Sequence, residues 1–236
     1  MVRCTLAAGA VALLALSGSA QAVVFFDGVF NNSDWSLVGV TNANGAGSTT
    51  VGFQVTSGGN PNQYRRVRNN LVVSGPNGAS LGLHMRAVYS YNPGAGAIGS
   101  INYSEDSINF VNQGGNGQGS GCVIFQSGKY YIQRNPILVM PYSTFNTWQP
   151  NSAPGLVASD FWELTLSGNL ISSNNPDFST SGGVMQFGFW RGNSANSSIQ
   201  TDCGIDNWRV EILPVPAPGA MGALALSGLV ALRRRR

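Results

Sequence analysis

Residues 207–212 read Asn-Trp-Arg-Val-Glu-Ile, and they alternate without a break between polar and apolar side chains. Successive side chains of an extended strand point to opposite faces, so this stretch would present one apolar and one polar face. The apolar set is Trp208, Val210 and Ile212, and the polar set is Asn207, Arg209 and Glu211. Residues 81–86 and 185–189 alternate in the same way. The pattern predicts strands that are buried on one face.

The stretches between these strands carry turn residues. Clusters of Gly, Pro, Asn and Ser lie at residues 42–45, 57–61, 74–78 and 92–94, and they are typical of tight turns. Charged residues make up only 10% of the chain, and no stretch has the periodicity of an amphipathic helix. We therefore expect residues 23–213 to form an all-β domain. Its predicted architecture is a two-sheet antiparallel jelly-roll sandwich of the concanavalin A-like kind.

The N-terminus has the pattern of a secretory signal peptide. Arg3 precedes an apolar stretch from residue 6 to residue 16, and Ala20-Gln21-Ala22 follows. This order of a basic residue, an apolar segment and an A-x-A site predicts cleavage after Ala22. Residues 1–22 would then be a signal helix that is removed, and the domain would be exported.

The C-terminus predicts a short membrane segment. Residues 217–232 carry no charge, and as a helix they would reach about 24 Å against a hydrocarbon core of about 30 Å. The four arginines that follow cannot cross a bilayer cheaply, so they would stay cytoplasmic and leave the preceding domain outside. The residues concerned are Arg233, Arg234, Arg235 and Arg236.

The order of elements in residues 214–236 resembles the PEP-CTERM sorting signal of bacteria that make exopolysaccharide. Pro216 and Pro218 stand at the two prolines of the usual Pro-Glu-Pro, and Ala217 replaces its glutamate. The resemblance implies an exosortase-like processing enzyme as a partner and a destination in the cell envelope or outside the cell. The alternative is a plain single-helix anchor that is not processed.

Charge excludes one class of function. Of the 13 basic residues, Arg3 and the four terminal arginines lie in the targeting segments, so 8 basic residues face 10 acidic ones and the exported domain carries −2. Nucleic-acid binding depends on a net positive face. We therefore expect no nucleic-acid partner.

Cys122 and Cys203 remain after the signal peptide is removed. In an oxidising compartment an isolated pair predicts a disulfide, which would close a loop of about eighty residues and contribute on the order of 4 kcal/mol. Free buried thiols are the alternative.

The sequence favours a non-catalytic domain. Residues 78–82 match G-x-S-x-G, but the only histidine, His84, lies four residues from Ser80 on the same predicted strand, whereas a nucleophile elbow needs a histidine from later in the chain. Glu105 and Asp106 are neighbours on a predicted strand and would face opposite sides. A glycosidase needs two carboxyl groups across one cleft, and the second candidate pair, at 160 and 163, is better explained as solvated or capping carboxylates.

A structural calcium ion is the one cofactor that the sequence suggests. Asp27 follows the first predicted strand and Asp206 opens the last, and the first and last strands of a jelly roll often pair. Oxygen ligands in a Gly-containing turn suit calcium. The stretches 26–28 and 205–207 resemble the ends of jelly-roll carbohydrate-binding modules, which carry such a site. Strand-end caps are the alternative role for the two aspartates.

Aromatic residues give the remaining indication of function. Sugar rings stack on exposed aromatic faces and polar side chains bind their hydroxyls, although most of the aromatics would serve as core. Trp148 and Tyr142 lie in a segment without clear alternation, so we expect them to be exposed. Tyr64 and Arg65, with the neighbouring arginines 66 and 68, would meet an acidic polysaccharide or edge a strand.

The domain also resembles a group of uncharacterised secreted bacterial modules. Matching stretches lie at 27–28 with 34–35, at 58–61 with 64–65, and at 102–106, 176–179, 186–189 and 204–208. None is a catalytic signature, and the resemblance implies a lectin-like sandwich. The sequence therefore predicts an exported carbohydrate-binding protein. A structural matrix protein without a ligand is the alternative, and a polysaccharide-acting enzyme is a third interpretation.

Overall fold

The structure is a computed structural model, and it describes residues 21–110, 117–139 and 145–216. These residues contain fourteen strands and four single-turn 3₁₀ helices. The strands are β1 (Val23–Asp27), β2 (Ser36–Thr41), β3 (Thr49–Gly59), β4 (Asn62–Leu71), β5 (Gly78–Tyr91), β6 (Ile98–Asn109), β7 (Gln118–Gln126), β8 (Lys129–Gln133), β9 (Ile137–Val139), β10 (Gln149–Leu156), β11 (Phe161–Leu164), β12 (Leu170–Ile171), β13 (Met185–Ala195) and β14 (Ile199–Pro214). The 3₁₀ helices are Asn32–Asp34, Ala43–Gly45, Pro93–Ala95 and Ala158–Asp160. The predicted all-β class is confirmed.

Six strands form the smaller sheet. Their order is β10-β6-β14-β4-β3, and β1 pairs with the second half of β14 on the side where β4 ends. Asp27 of β1 lies opposite Trp208 of β14. The predicted pairing of the first and last strands is therefore confirmed.

Eight strands form the larger sheet. Their order is β12-β11-β8-β7-β13-β5-β2, and β9 pairs with the beginning of β7. The named strands of both sheets pair antiparallel throughout the described residues. Together the two sheets make the expected antiparallel sandwich.

The main core lies between the two sheets. Trp208 is fully buried, its ring stacks on Tyr89 with centroids 5.6 Å apart, and Trp35 meets it edge-on at 5.4 Å. Phe187 and Phe189 of β13, in the larger sheet, belong to the same buried cluster, and Phe189 lies 5.2 Å from Trp35. The alternation predicted for residues 207–212 and 185–189 thus places the aromatic side chains in the core.

A β-bulge changes the alternation of β14 just before this core. The register of β14 against β6 shifts between Asp206 and Arg209, and Asn207 has a positive φ of 49°. The extra residue lets Ile205 and Trp208 both point inward although they are three positions apart. Asp206 and Arg209 consequently both lie on the outward side.

A buried ion pair crosses the main core. Arg191 of β13 and Glu105 of β6 are completely buried, with Nη2 2.9 Å from Oε1. Glu105 also accepts hydrogen bonds from the hydroxyls of Ser107 and Ser120, at 2.5 and 2.7 Å. These partners satisfy a carboxylate that would otherwise be costly to bury.

The outward face of the larger sheet carries a second hydrophobic core. Its buried members are Val40, Leu83, Met85, Val123, Ile132, Leu164 and Trp190. Val40 and Leu164 belong to strands near opposite edges of the sheet, so the sheet is curled with this face on the inside. The curl brings Gly168, in the β11–β12 turn, against β2, because a Cβ added to Gly168 would lie 2.8 Å from the backbone nitrogen of Asn42.

The predicted disulfide is wrong: Cys122 and Cys203 are both free and buried. Cys122 lies on β7 of the larger sheet and Cys203 on β14 of the smaller one. Stacked sheets are about 10 Å apart, whereas bonded cysteines need Cα atoms within about 7 Å of each other. Burial raises the pKa of both thiols, that of Cys203 to about 12.

The predicted targeting segments fall almost entirely outside the described residues. The signal peptide of residues 1–22 overlaps the structure only at residues 21 and 22, and the tail of residues 214–236 only at residues 214–216. Pro218 and the four terminal arginines are therefore not described. Within the described ranges, no helix has the length and apolarity needed to cross a membrane.

Candidate ligand-binding face

The outward side of the smaller sheet is the candidate site, and we call it the binding face. Strand alternation places polar and aromatic residues on it, in contrast to the apolar outward side of the larger sheet. Its outward residues include Tyr64, Arg66 and Arg68 of β4, Ser104 and Asp106 of β6, Asp202, Gly204, Asp206 and Arg209 of β14, and Phe26 of β1. Three groups on this face can contact a ligand.

An aromatic group occupies the middle of the binding face. Trp148, just before β10, meets Tyr64 edge-on with ring centroids 5.4 Å apart, and Phe110 lies 5.8 Å from Tyr64. A Cβ at Gly204 would lie 2.9 Å from Trp148 Cη2 and 3.0 Å from Tyr64 Cδ2, so the rings lie directly over this glycine. Trp148 Nε1 donates to the carbonyl of Gly58 at 3.0 Å. The half-buried indole is thereby fixed as a platform on the sheet.

A pair of arginines flanks the aromatic group. Arg66 and Arg68 both donate to Asp202, with Nη2 atoms 2.7 and 2.8 Å from Oδ2. The guanidinium of Arg66 also lies over the ring of Phe110, 4.7 Å from its centroid. Burial opposes the charge of Asp202, but the hydrogen bonds from the two arginines outweigh it and keep the pKa of this carboxyl below its usual value.

A polar groove lies at the other end of the binding face. Its volume is about 510 Å³, and its lining residues are Phe26, Ser104, Glu105, Asp106, Pro150, Asn151, Ser152, Asn207 and Arg209. Phe26 is 50% exposed. Asp106 Oδ2 accepts from the side-chain amides of Asn207 and Asn60, at 2.7 and 3.1 Å. The groove thus combines an exposed ring with carboxylate, amide, hydroxyl and guanidinium groups.

The turn between β3 and β4 organises this groove through Asp206. Asp206 is fully buried, and its carboxylate accepts from the backbone N–H groups of Asn60 and Asn207 at 2.5 and 2.7 Å. Burial raises the pKa of Asp206 to about 6, and the nearby carboxylates of Asp106 and Asp27 add to the shift. Asp206 therefore holds the turn in place from below.

The predicted calcium ligands do not fit a calcium ion in this arrangement. Asp27 is buried and accepts from the backbone N–H groups of Val29 and Phe30, from Trp35 Nε1 and from Arg86. Its carboxylate is thus already neutralised by a guanidinium. Both oxygens of Asp206 are likewise engaged, and no cluster of three or more His, Cys, Asp or Glu residues in the described ranges could hold a metal. The turn-cap role agrees better with these contacts.

The predicted sugar-binding residues are only partly together. Trp148 and Tyr64 are in contact, as a shared site requires. Tyr142 lies outside the described residues. Arg65 is 2% exposed and points into the core, where Nε donates to His84 Nδ1 at 3.2 Å. The outward guanidinium beside Tyr64 is that of Arg66, the next residue.

The residues considered for catalysis are not assembled into a catalytic site. Ser80 is buried and its hydroxyl lies 3.2 Å from that of Thr50, while His84 is buried against Arg65. Burial, with Arg65 and Arg191 nearby, keeps the pKa of His84 well below its usual value. As the alternation predicts, Glu105 faces inward and Asp106 outward. The two carboxyl groups therefore cannot act on one substrate.

A second cleft, on the curled face of the larger sheet, is less suited to sugars. Its volume is about 330 Å³ and it lies beside Trp190. The lining residues are Ala79, Leu81, Gly117, Gly119, Pro136, Leu138, Trp190, Gly192, Asn193 and Ser194. Only Asn193 and Ser194 among them have hydrogen-bonding side chains apart from the indole. The cleft lacks the charged and amide groups of the polar groove.

No protein-family model and no curated protein matches the chain. Among solved structures, the chain is similar to a carbohydrate-binding module of the β-sandwich superfamily, with 9% identity, a TM-score of 0.39, and coverage of 77% of this chain and 60% of that one. The C-terminal family 22 carbohydrate-binding module of Clostridium thermocellum Xyn10B has 13% identity, a TM-score of 0.36 and coverage of 86% and 98%. SGBP-B from a xyloglucan utilization locus of Bacteroides uniformis has 14% identity, a TM-score of 0.35 and coverage of 80% and 49%.

Proposed function

We propose that this protein is an exported, non-catalytic carbohydrate-binding β-sandwich of the bacterial envelope or extracellular matrix. Its polysaccharide ligand would lie along the binding face, and its C-terminal segment would direct it there through an exosortase-like enzyme. The observation that carries the binding proposal is the Trp148 platform, which lies on the same face as a polar groove with a half-exposed ring.

The two halves of the face are spaced for a saccharide chain. Trp148 directly precedes β10 and is two residues from Pro150, which lies opposite Asp106 of the adjacent strand β6. Two residues span about 7 Å along a strand. One sugar ring could stack on Trp148 while the next places its hydroxyls on Asp106, whose carboxylate can accept from a diol. Aromatic stacking with a few polar anchors is the usual chemistry of such sites.

A binding assay with matched tryptophan variants tests the proposal. Full-length protein would be screened against an array of neutral and acidic polysaccharides, with Trp148→Ala as the test variant. Trp162→Ala is the control, because Trp162 is also half-buried but lies on the larger sheet. We expect Trp148→Ala to lose binding at least about tenfold, as the removal of one stacked ring predicts, and Trp162→Ala to keep it.

Other results would overturn the proposal. Equal loss in both variants would mean that the binding face is not the site. A blank array would favour the alternative of a structural matrix protein, and release of reducing ends from any bound polysaccharide would contradict the non-catalytic assignment.

A further inference from the structure

The arginine pair of the binding face carries more positive charge than its carboxylate balances. Arg66 and Arg68 share the single carboxylate of Asp202. Their side chains are 31% and 39% exposed, whereas that of Asp202 is 5% exposed. The unit therefore presents one net positive charge to solvent, on a domain whose overall charge is negative.

The two guanidinium groups are held in fixed positions. Each uses its Nε and Nη2 edge on Asp202, at distances between 2.7 and 3.2 Å. Nη1 of Arg68 has no hydrogen-bond partner among the described residues, and its side chain is accessible. Because Asp202 already orders these long side chains, a ligand that binds them loses less conformational entropy than it would with free arginines.

Apart from Asp202, the described residues that flank the pair on the binding face are uncharged. On β3 the Cα partners of Arg68 and Arg66 are Val51 and Phe53, which are 46% and 37% exposed. On the other side lie Phe110 and the Trp148 platform. Asp106, the outward carboxylate of β6, is engaged with Asn60 and Asn207 and lies nearer the groove. An anion beside Trp148 would thus meet the two guanidiniums first.

We infer that the polysaccharide recognised by the binding face is anionic: a sugar ring stacks on Trp148 and its acidic group binds Arg66 and Arg68. This inference rests on the proposed function. A planar fork of donors suits carboxylate and sulfate groups alike, so the shared chemistry is an anionic substituent on the sugar. Polymers that carry uronate carboxylates and polymers that carry sulfate groups distinguish the two kinds of anion.

The test compares three polymers with full-length protein: polygalacturonate, dextran sulfate and uncharged dextran. Arg68→Gln is the test variant, because Asp202 keeps its bidentate partner Arg66 and the fold should be retained. Arg134→Gln is the control, since Arg134 directly follows β8 of the larger sheet, is 42% exposed and lies 3.7 Å from Asp160. Melting temperatures of both variants verify folding.

We expect one or both anionic polymers to bind and dextran to bind at least tenfold more weakly. Arg68→Gln should weaken anionic binding by about tenfold to a hundredfold, as expected for a lost hydrogen bond between charged groups. Arg134→Gln should leave it unchanged, and added salt should weaken it. Preference for polygalacturonate identifies uronate, and preference for dextran sulfate identifies sulfate.

Some outcomes would refute only the inference that the ligand is anionic, and others would refute the proposed function as well. Binding to neutral polysaccharide that depends on Trp148 but not on Arg68 would refute the anionic ligand alone. No binding to these polymers or to any polysaccharide of the array, or binding that neither Trp148→Ala nor Arg68→Gln weakens, would refute the proposed function with it.

Discussion

Asp206 offers a direct test of how the binding face is held, because its burial makes the stability of the fold depend on pH. Its pKa rises from 3.8 to about 6 in the folded protein. At about 1.4 kcal/mol per pKa unit, the ionised carboxylate would lower the free energy of unfolding by about 3 kcal/mol. The stability that protonated Asp206 retains is fully present below pH 3.8 and is lost as the pH rises through 6. Between pH 4.5 and 7.5 the loss would be about 2 kcal/mol.

Urea denaturation followed by tryptophan fluorescence would measure this loss in the wild type and in Asp206→Asn. The amide cannot accept from both backbone N–H groups, so the variant should be less stable than the wild type, by about 3 kcal/mol at pH 4.5 and about 1 kcal/mol at pH 7.5. Its pH dependence, however, should be smaller than that of the wild type by about 2 kcal/mol over this range. Asp177→Asn is the control, because Asp177 is exposed and its pKa is lowered by hydrogen bonds from Ser179. Parallel pH profiles of the wild type and Asp206→Asn would show that Asp206 is not the source of this pH dependence.

Three further predictions concern the core and the platform. Cys122 and Cys203 should both be inert to a thiol reagent in the native protein, and both should react after denaturation without reductant. If neither reacts after denaturation, the two cysteines form a disulfide. Arg191→Met should lower the free energy of unfolding by about 3–5 kcal/mol, because Glu105 would remain buried without its cation, and a loss below about 1 kcal/mol would contradict this role. Gly204→Ala should lower the free energy of unfolding by about 1–3 kcal/mol and weaken polysaccharide binding, because the new Cβ would lie 2.7 Å from Ile108 Cγ2 and 2.9 Å from Trp148. Gly39→Ala is the control and should bind normally, because its Cβ would meet no atom within 4 Å.

Local sequence patterns were sufficient to predict the fold class. The alternation of residues 207–212 predicts an inward Trp208 and an outward Arg209, as the structure shows. The turn cluster at 92–94 coincides with the 3₁₀ helix Pro93–Ala95, and Asn92 caps it through its side chain. These features depend on residues that are neighbours along the chain, so a single sequence contains them.

Alternation could also have identified the outward arginines. Tyr64, Arg66 and Arg68 have the same parity on β4, so any reading that places Tyr64 at a surface should place Arg66 there and Arg65 inside. Arg65, which was predicted as a ligand residue, has the opposite parity and lies in the core.

Other features of the site depend on contacts between distant strands. Phe26, Asp106 and Arg209 line one groove but come from β1, β6 and β14. Their proximity follows from the strand order, which the sequence does not specify. The disulfide prediction was wrong for a related reason, because an even cysteine count carries no information about which sheet holds each thiol.

The difference between the two outward faces is the reason for placing the candidate site on the smaller sheet. An antiparallel sheet can bury one face and leave the other in water. The larger sheet curls around its own apolar side chains and brings Gly168 against β2. Its outward face therefore stabilises the fold, and changes there should alter stability before they alter binding. The outward face of the smaller sheet contributes less to the core, so its charged and aromatic residues are free to serve recognition. That polar face must still be kept rigid, and Gly204, Asp202 and Asp206 do this by fixing the rings, the guanidiniums and the turn from beneath.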